Sequence, residues 1–146
     1  MVNYTELNKK LKESCEKASA RFYNSTTRVR EVQLEKLRKI IENNKETEYG
    51  RKNSFGKINS LDDFRAALEV RTYEDYEPYV TQIAEGKRNV LTAEEVLMLE
   101  PTSGSTSPSK FIPYTSYLKK EFQEGIFPWL YDLLDKKPKL GKGSFY

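Results

Sequence analysis

The sequence contains no histidine and a single cysteine, Cys15. Without imidazoles neither a histidine-based triad nor a zinc cluster can be assembled, and one thiol excludes an intramolecular disulfide. No apolar run approaches the ~18 residues that a membrane-spanning helix needs, and the opening Met1-Val2-Asn3-Tyr4-Thr5-Glu6 is polar where a signal peptide carries an apolar stretch. A reduced, cytoplasmic setting without a membrane partner is the expectation. Charge of one sign is scarce too, since 25 basic and 22 acidic residues leave only +3. The signs alternate, as in Glu31-Val-Gln-Leu-Glu-Lys-Leu-Arg-Lys39, which describes a solvated helix face and excludes the one-sided basic stripe of a nucleic-acid binder. Hydrophobic residues make up 37% against a typical ~45 to 50%. At 146 residues the chain has the length of one ordinary domain, but its core is expected to be thin.

What is present is mostly helical pattern. Leu7, Leu11, Cys15, Ala18 and Phe22 recur every three or four residues and predict a first helix with that stripe inward, ended by Asn24-Ser-Thr-Thr27. A second helix is expected from about Thr27 to Asn43, with Leu34, Leu37, Ile40 and Ile41 facing the core, followed by a loop through Gly50 to Gly56. Ser60 with Asp63 forms a capping box for a short helix through Leu68, and Thr72 with Asp75 repeats it for a helix through about Glu85 that Gly86 closes. Tyr73, Tyr76 and Tyr79 then share one helix face, which favours packing over base stacking. Thr92 with Glu95 is expected to cap a single turn. Ser116 to Leu134 carries a strong apolar stripe that includes Phe122 and Trp129, with Gly125 and Pro128 expected to bend or break it.

Between these helices lies the stretch that carries chemistry, Thr102-Ser-Gly-Ser-Thr-Ser-Pro-Ser-Lys110. Six of its nine residues carry hydroxyls. Gly104 lets the backbone turn toward an anion, neighbouring amides can point inward as a nest, and Lys110 supplies a mobile positive charge. The flanks Val96-Leu-Met-Leu99 and Phe111-Ile-Pro-Tyr-Thr115 are apolar, aromatic and β-branched, so the loop is predicted to be the turn of a hairpin. A Walker loop is excluded: it needs glycine where Ser109 stands, a serine or threonine where Phe111 stands, and a helix that cannot start before Pro113. Taken by itself, a turn rich in serine and threonine can also do no more than satisfy its own backbone.

The segment resembles the phosphate-binding signature of the adenylate-forming superfamily, the luciferase and acyl-CoA synthetase relatives, with Thr102, Ser103, Gly104, Ser105, Thr106 and Lys110 in register. Ser107 stands where a second glycine is usual, and Pro108 is displaced from its place before the lysine. Glu48-Tyr-Gly-Arg51, Ser60-Leu-Asp-Asp-Phe64, Tyr73-Glu-Asp-Tyr76 with Pro78-Tyr79, Gly86-Lys-Arg-Asn-Val-Leu-Thr-Ala93 and Lys110-Phe-Ile-Pro-Tyr-Thr115 follow in an order similar to the auxin-responsive-promoter (Gretchen Hagen) family of acyl-acid amido synthetases. That resemblance runs from about Glu31 to the last residue. It implies an α/β parent fold of which this chain is the helix-rich start of a large N-terminal domain, with a β-hairpin around the phosphate loop. Residues 1–90 would be helical, 96–115 strand, loop and strand, and 116–135 a helix, all part of one incomplete domain. It also implies ATP and Mg²⁺ in the full-length parent, a carboxylic acid substrate, and an amino acid or other amine acceptor. Ser103, Gly104, Ser105 and Thr106 would contact phosphate oxygens, Thr102 would open the loop, and Lys110 would be its catalytic cation. No metal-ligating residue is implied. An acyl-CoA ligase shares the loop, and a non-catalytic helical interaction module is the alternative from another class. The ending Lys142-Gly-Ser-Phe-Tyr146 reads as the start of a further strand, so a fragment, inactive alone, is expected.

Overall fold

The computed structural model describes residues 3–103 and 109–144. Its chain forms two compact units, one made of residues up to Val29 together with those from Lys120 on, the other of Arg30–Lys119.

In the first unit, α1 (Tyr4–Thr26) begins where the Asn3 side chain accepts a hydrogen bond from the Glu6 amide at 3.2 Å, satisfying one of the free donors of a helix start. Its buried face is Asn8, Cys15, Ala18 and Ser19, while Leu7 and Phe22 of the expected stripe are 54% and 48% exposed. The rotation follows from Asn8, whose Nδ2 donates to the carbonyls of Gly141 at 3.1 Å and Gly143 at 2.7 Å, drawing the Asn8 face against the turn Leu140–Lys142. The helix α6 (Ser116–Lys136) runs through Gly125 and Pro128 without a break. Pro128 is buried, whereas Phe122 and Trp129 are 64% and 60% exposed, against the expected inward stripe. Arg21 holds Glu124 with a bidentate pair at 2.7 and 2.9 Å, and Lys12 holds Asp135 at 2.7 Å. Residues Leu140–Lys142 form a 3₁₀ turn, and Phe145 and Tyr146, on which the expected strand start falls, lie outside the described residues.

The second unit gathers α2 (Val29–Asn44), α3 (Glu48–Lys52), α4 (Leu61–Ala67), α5 (Glu77–Ala84) and a two-stranded antiparallel sheet, β1 (Val96–Pro101) with β2 (Phe111–Thr115). Its core is Ile41, Tyr49, Phe55, Tyr79, Ile83 and Val90, with Leu37, Phe64, Tyr76, Val96 and Leu99 packed around it. The α3 helix occupies a stretch whose glycines had suggested loop. Thr47 caps it by accepting from the Gly50 amide at 2.9 Å, and the amides of Glu48 and Tyr49 donate to the carbonyls of Asn89 and Val90 at 2.8 and 3.0 Å. Acceptors from a segment forty residues away satisfy the helix start, which no local pattern reveals. Both capping boxes form, although after Thr72 the chain makes a 3₁₀ turn (Tyr73–Asp75) before α5 begins. Gly86 at φ +89° closes α5: its amide donates to Ile83 and that of Lys87 to Gln82, both at 2.9 Å. Thr92 does not start a helical turn; its hydroxyl accepts from the Glu94 amide at 3.1 Å and Glu95 pairs with Arg88. Among the described residues no helix is long and apolar enough to cross a membrane.

Candidate functional site

The strand pair delivers the two ends of the hydroxyl-rich loop to one place. Val96 faces Thr115, and after a one-residue bulge the register runs from Met98 opposite Tyr114 to Pro101 opposite Phe111. The Thr102 amide donates to the Lys110 carbonyl at 2.8 Å, extending the ladder one pair beyond the strands. Hydrogen-bonded and non-hydrogen-bonded pairs alternate in an antiparallel ladder. Counting back from Thr102 and Lys110, Pro101 and Pro113 both fall in non-hydrogen-bonded pairs, where a missing N–H costs the ladder nothing.

The same alternation turns the N–H and C=O of Phe111 away from β1, toward the open edge of β2. Tyr73 meets them there: its hydroxyl accepts from the Phe111 amide at 2.8 Å and lies 3.4 Å from the Phe111 carbonyl as a donor. The Lys110 ammonium stands 5.2 Å from the centre of the Tyr73 ring and 3.6 Å from Glu74 Oε1. Glu74 sits on a short turn fixed at both ends by the Thr72 and Asp75 box, in which the Thr72 amide donates to Asp75 at 2.8 Å. The Thr72 hydroxyl, the backbone amide of Glu74 itself and the nearby Lys110 charge hold the Glu74 carboxyl below the usual carboxylate range. Behind this turn, α5 carries Tyr79 into the core, and the Tyr76 hydroxyl lies 3.3 Å from that of Tyr49. A basic residue at an exposed hairpin mouth can receive an anion.

Of the residues singled out from the sequence, Thr102, Ser103 and Lys110 are described, and Thr102 and Lys110 are brought together. Gly104, Ser105 and Thr106, with Ser107 and Pro108, lie outside the described residues. Sequence reasoning missed Tyr73 and Glu74 as neighbours of the lysine. Tyr73 had been placed with Tyr76 and Tyr79 on one helix face, but the 3₁₀ turn ends that face before Tyr76 and turns the first ring toward β2. The signal that could have separated it was the Thr72 box, because a residue directly after a cap starts the first turn and need not share the face of the helix behind it.

A groove of about 830 Å³ runs elsewhere in this unit, along Leu34, Leu37, Ile41, Phe55 and Ile58. None of its lining residues belongs to the hydroxyl-rich loop or its neighbours. Among the described residues no group of three or more histidine, cysteine, aspartate or glutamate side chains gathers where it could hold a metal ion.

Residues 18–145 match the family described as GH3 family N-terminal domain. The chain is 28% identical over 133 residues to Jasmonoyl--L-amino acid synthetase GH3.5 of Oryza sativa subsp. japonica, covering 90% of this chain and 23% of that protein. Over 136 residues it is 33% identical to Probable indole-3-acetic acid-amido synthetase GH3.1 of Arabidopsis thaliana, with 90% and 23% covered. Probable indole-3-acetic acid-amido synthetase GH3.12 of Oryza sativa subsp. japonica is 35% identical over 92 residues, 62% of this chain and 15% of that protein. The chain thus spans less than a quarter of the length of these relatives. No solved structure matches it.

Proposed function

Because this chain belongs to the GH3 family, we propose that it is the N-terminal part of an ATP-dependent ligase that adenylates a carboxylic acid and transfers the acyl group to the amine of an amino acid. Relatives named for jasmonoyl and indole-3-acetic acid conjugation to amino acids support the substrate class. The observation that carries the reading is the closed hairpin mouth, where the Thr102 amide bonds the Lys110 carbonyl at 2.8 Å and the ammonium stands at the opening.

The chemistry explains why such a mouth is needed. A carboxylate is a poor acyl electrophile, since its carbonyl carbon already carries two electron-rich oxygens. Attack of one of those oxygens on the α-phosphorus of ATP breaks the bond to the β-phosphate, releases pyrophosphate and leaves an acyl adenylate. The amine then attacks the acyl carbon and AMP departs. Negative charge builds on the leaving pyrophosphate, so donors fixed in advance around it favour the transition state. In this reading Thr102 offers its hydroxyl, and Ser103, Gly104, Ser105 and Thr106 their amides and hydroxyls, to phosphate oxygens, and Lys110 neutralises the developing charge. Each hydrogen bond to a charged oxygen contributes about 1.5 to 3 kcal/mol. The described residues offer no carboxylate cage for Mg²⁺. The ion would come with ATP, held by phosphate oxygens.

Carboxylate-dependent exchange of pyrophosphate into ATP, measured on the complete product of the reading frame that encodes this chain, tests the proposal. Exchange with a carboxylic acid, abolished by Lys110→Ala, is the expected result. A folded product that fails to exchange across a panel including jasmonic and indole-3-acetic acids sinks the ligase reading. Exchange that ignores Lys110→Ala sinks the assignment of the loop.

A further inference from the structure

The peptide unit that follows Lys110 is held at both of its polar atoms. Its carbonyl accepts from Thr102 at 2.8 Å, and the next amide, that of Phe111, donates to the Tyr73 hydroxyl at 2.8 Å. The side chain springs from the residue just before this fixed peptide. Its ammonium rests over the Tyr73 ring at 5.2 Å and beside Glu74 at 3.6 Å, longer than a direct hydrogen bond. Both partners stay in contact with water, with Glu74 68% exposed and Lys110 42% exposed, so the attraction is weak and screened.

Resting on the phosphate-loop reading above, we propose that Tyr73 and Glu74 form a cradle that holds Lys110 at the hairpin mouth until a polyphosphate displaces Glu74. Tyr73 is a positioning residue, fixing the strand end from which the lysine springs. Glu74 is a placeholder anion that keeps the ammonium near the mouth and yields to a ligand of higher charge. The weakness of the pair serves the exchange, because a buried bidentate pair would oppose the ligand with its full strength. The ring face of Tyr73 supplies the part of the hold that does not compete for charge. Phosphate oxygens bind the ammonium more strongly than a single exposed carboxylate does, so the side chain transfers without movement of the strands.

Two measurements on this chain test the cradle. The first needs no ligand: carbon-detected NMR titration of the Glu74 carboxyl in the wild type and in Lys110→Ala. The expected result is a carboxyl that titrates below the usual glutamate range and moves up when the lysine is removed, and an unmoved carboxyl overturns the resting pair. The second adds inorganic triphosphate to nitrogen-15-labelled wild type, Glu74→Gln, Tyr73→Phe and Lys110→Ala, following the Thr102, Lys110 and Phe111 amides. Removing the placeholder should tighten binding by roughly two- to fivefold, the direction opposite to that of a merely structural loss. Tyr73→Phe should weaken binding, and Lys110→Ala should weaken it by about tenfold or more. Binding lost in Lys110→Ala but unchanged in Glu74→Gln and Tyr73→Phe overturns the cradle and leaves the phosphate loop standing. Amides that ignore triphosphate even in the wild type overturn the loop reading, and with it the handover.

Discussion

Gly50 offers the sharpest test of the packing that carries the site. A Cβ placed there would lie 2.0 Å from the Asn44 carbonyl oxygen and 3.1 Å from the Lys45 carbonyl carbon. The first distance is about 1 Å short of the closest approach real Cβ atoms make. The obstacle is backbone, and it is held: the Asn44 carbonyl accepts from the Thr47 amide at 3.1 Å and from the Thr47 hydroxyl at 2.7 Å. In Gly50→Ala either that carbonyl or α3 must move, and moving α3 withdraws Tyr49 from the core and breaks the Thr47 cap. Overpacking typically costs ~1 to 3 kcal/mol, the upper end applying where backbone must give, and loss of a cap adds ~1 kcal/mol. We expect about 3 kcal/mol. At ~4 to 8 °C per kcal/mol for a domain of this size, the melt of the Arg30–Lys119 unit should fall by roughly 12 to 24 °C. Near-ultraviolet circular dichroism and tyrosine fluorescence follow that unit through Tyr49, Tyr76 and Tyr79, while Trp129 reports on the other. Gly56→Ala is the control, since nothing lies within 4 Å of its Cβ; its melt should stay within ~0.5 kcal/mol of the wild type. A Gly50→Ala chain that melts with the control refutes the clash and the placement of α3.

Tyr49 should ionise late. Burial, then the hydrogen bond with Tyr76, pushes its phenol up to about 12. A raised phenol favours the neutral form in the folded state, so its contribution is fully present below about pH 10, the usual tyrosine value, and is lost as pH climbs through about 12. Phenolate absorbance should show a late step that moves down in Tyr76→Phe, and a late step that ignores this substitution would defeat the assignment. Asn8→Ala removes both bonds from the buried Asn8 amide to the Gly141 and Gly143 carbonyls. It should cost about 1 to 3 kcal/mol and raise amide exchange across residues 140–143, and protection equal to the wild type would show that the turn does not rely on α1.

The hairpin could be read before any coordinates because its flanks are extended-chain formers around a run that cannot continue a helix. The two capping boxes were legible for a similar reason: serine or threonine and, three residues on, aspartate satisfy each other locally. What escaped depended on distant partners. The α3 helix is started by carbonyls of Asn89 and Val90, and Gly50 and Gly56 gave the opposite local signal. The stripe on α1 was correct as to helix and, at Cys15 and Ala18, as to face, but it failed at Leu7 and Phe22, because a polar residue, Asn8, found carbonyls to bind and outweighed them. Of the loop, Thr102 and Lys110, singled out for their chemistry, are the two that the hairpin brings together. Tyr73 and Glu74 were missed because their part is spatial: they meet Lys110 only through the pairing of β2 with the turn before α5.

The extra residue in β1 has an effect at the far end of the ribbon. Without the bulge between Val96 and Met98, the pairing of Val96 with Thr115 would carry on unshifted and bring Pro101, not Thr102, across from Lys110. A proline has no hydrogen to offer, so the clasp at the neck of the loop could not fasten. One inserted amino acid thus acts as a frame adjustment, moving an imino acid off the fastening position and a threonine onto it, five residues from where the slip occurs.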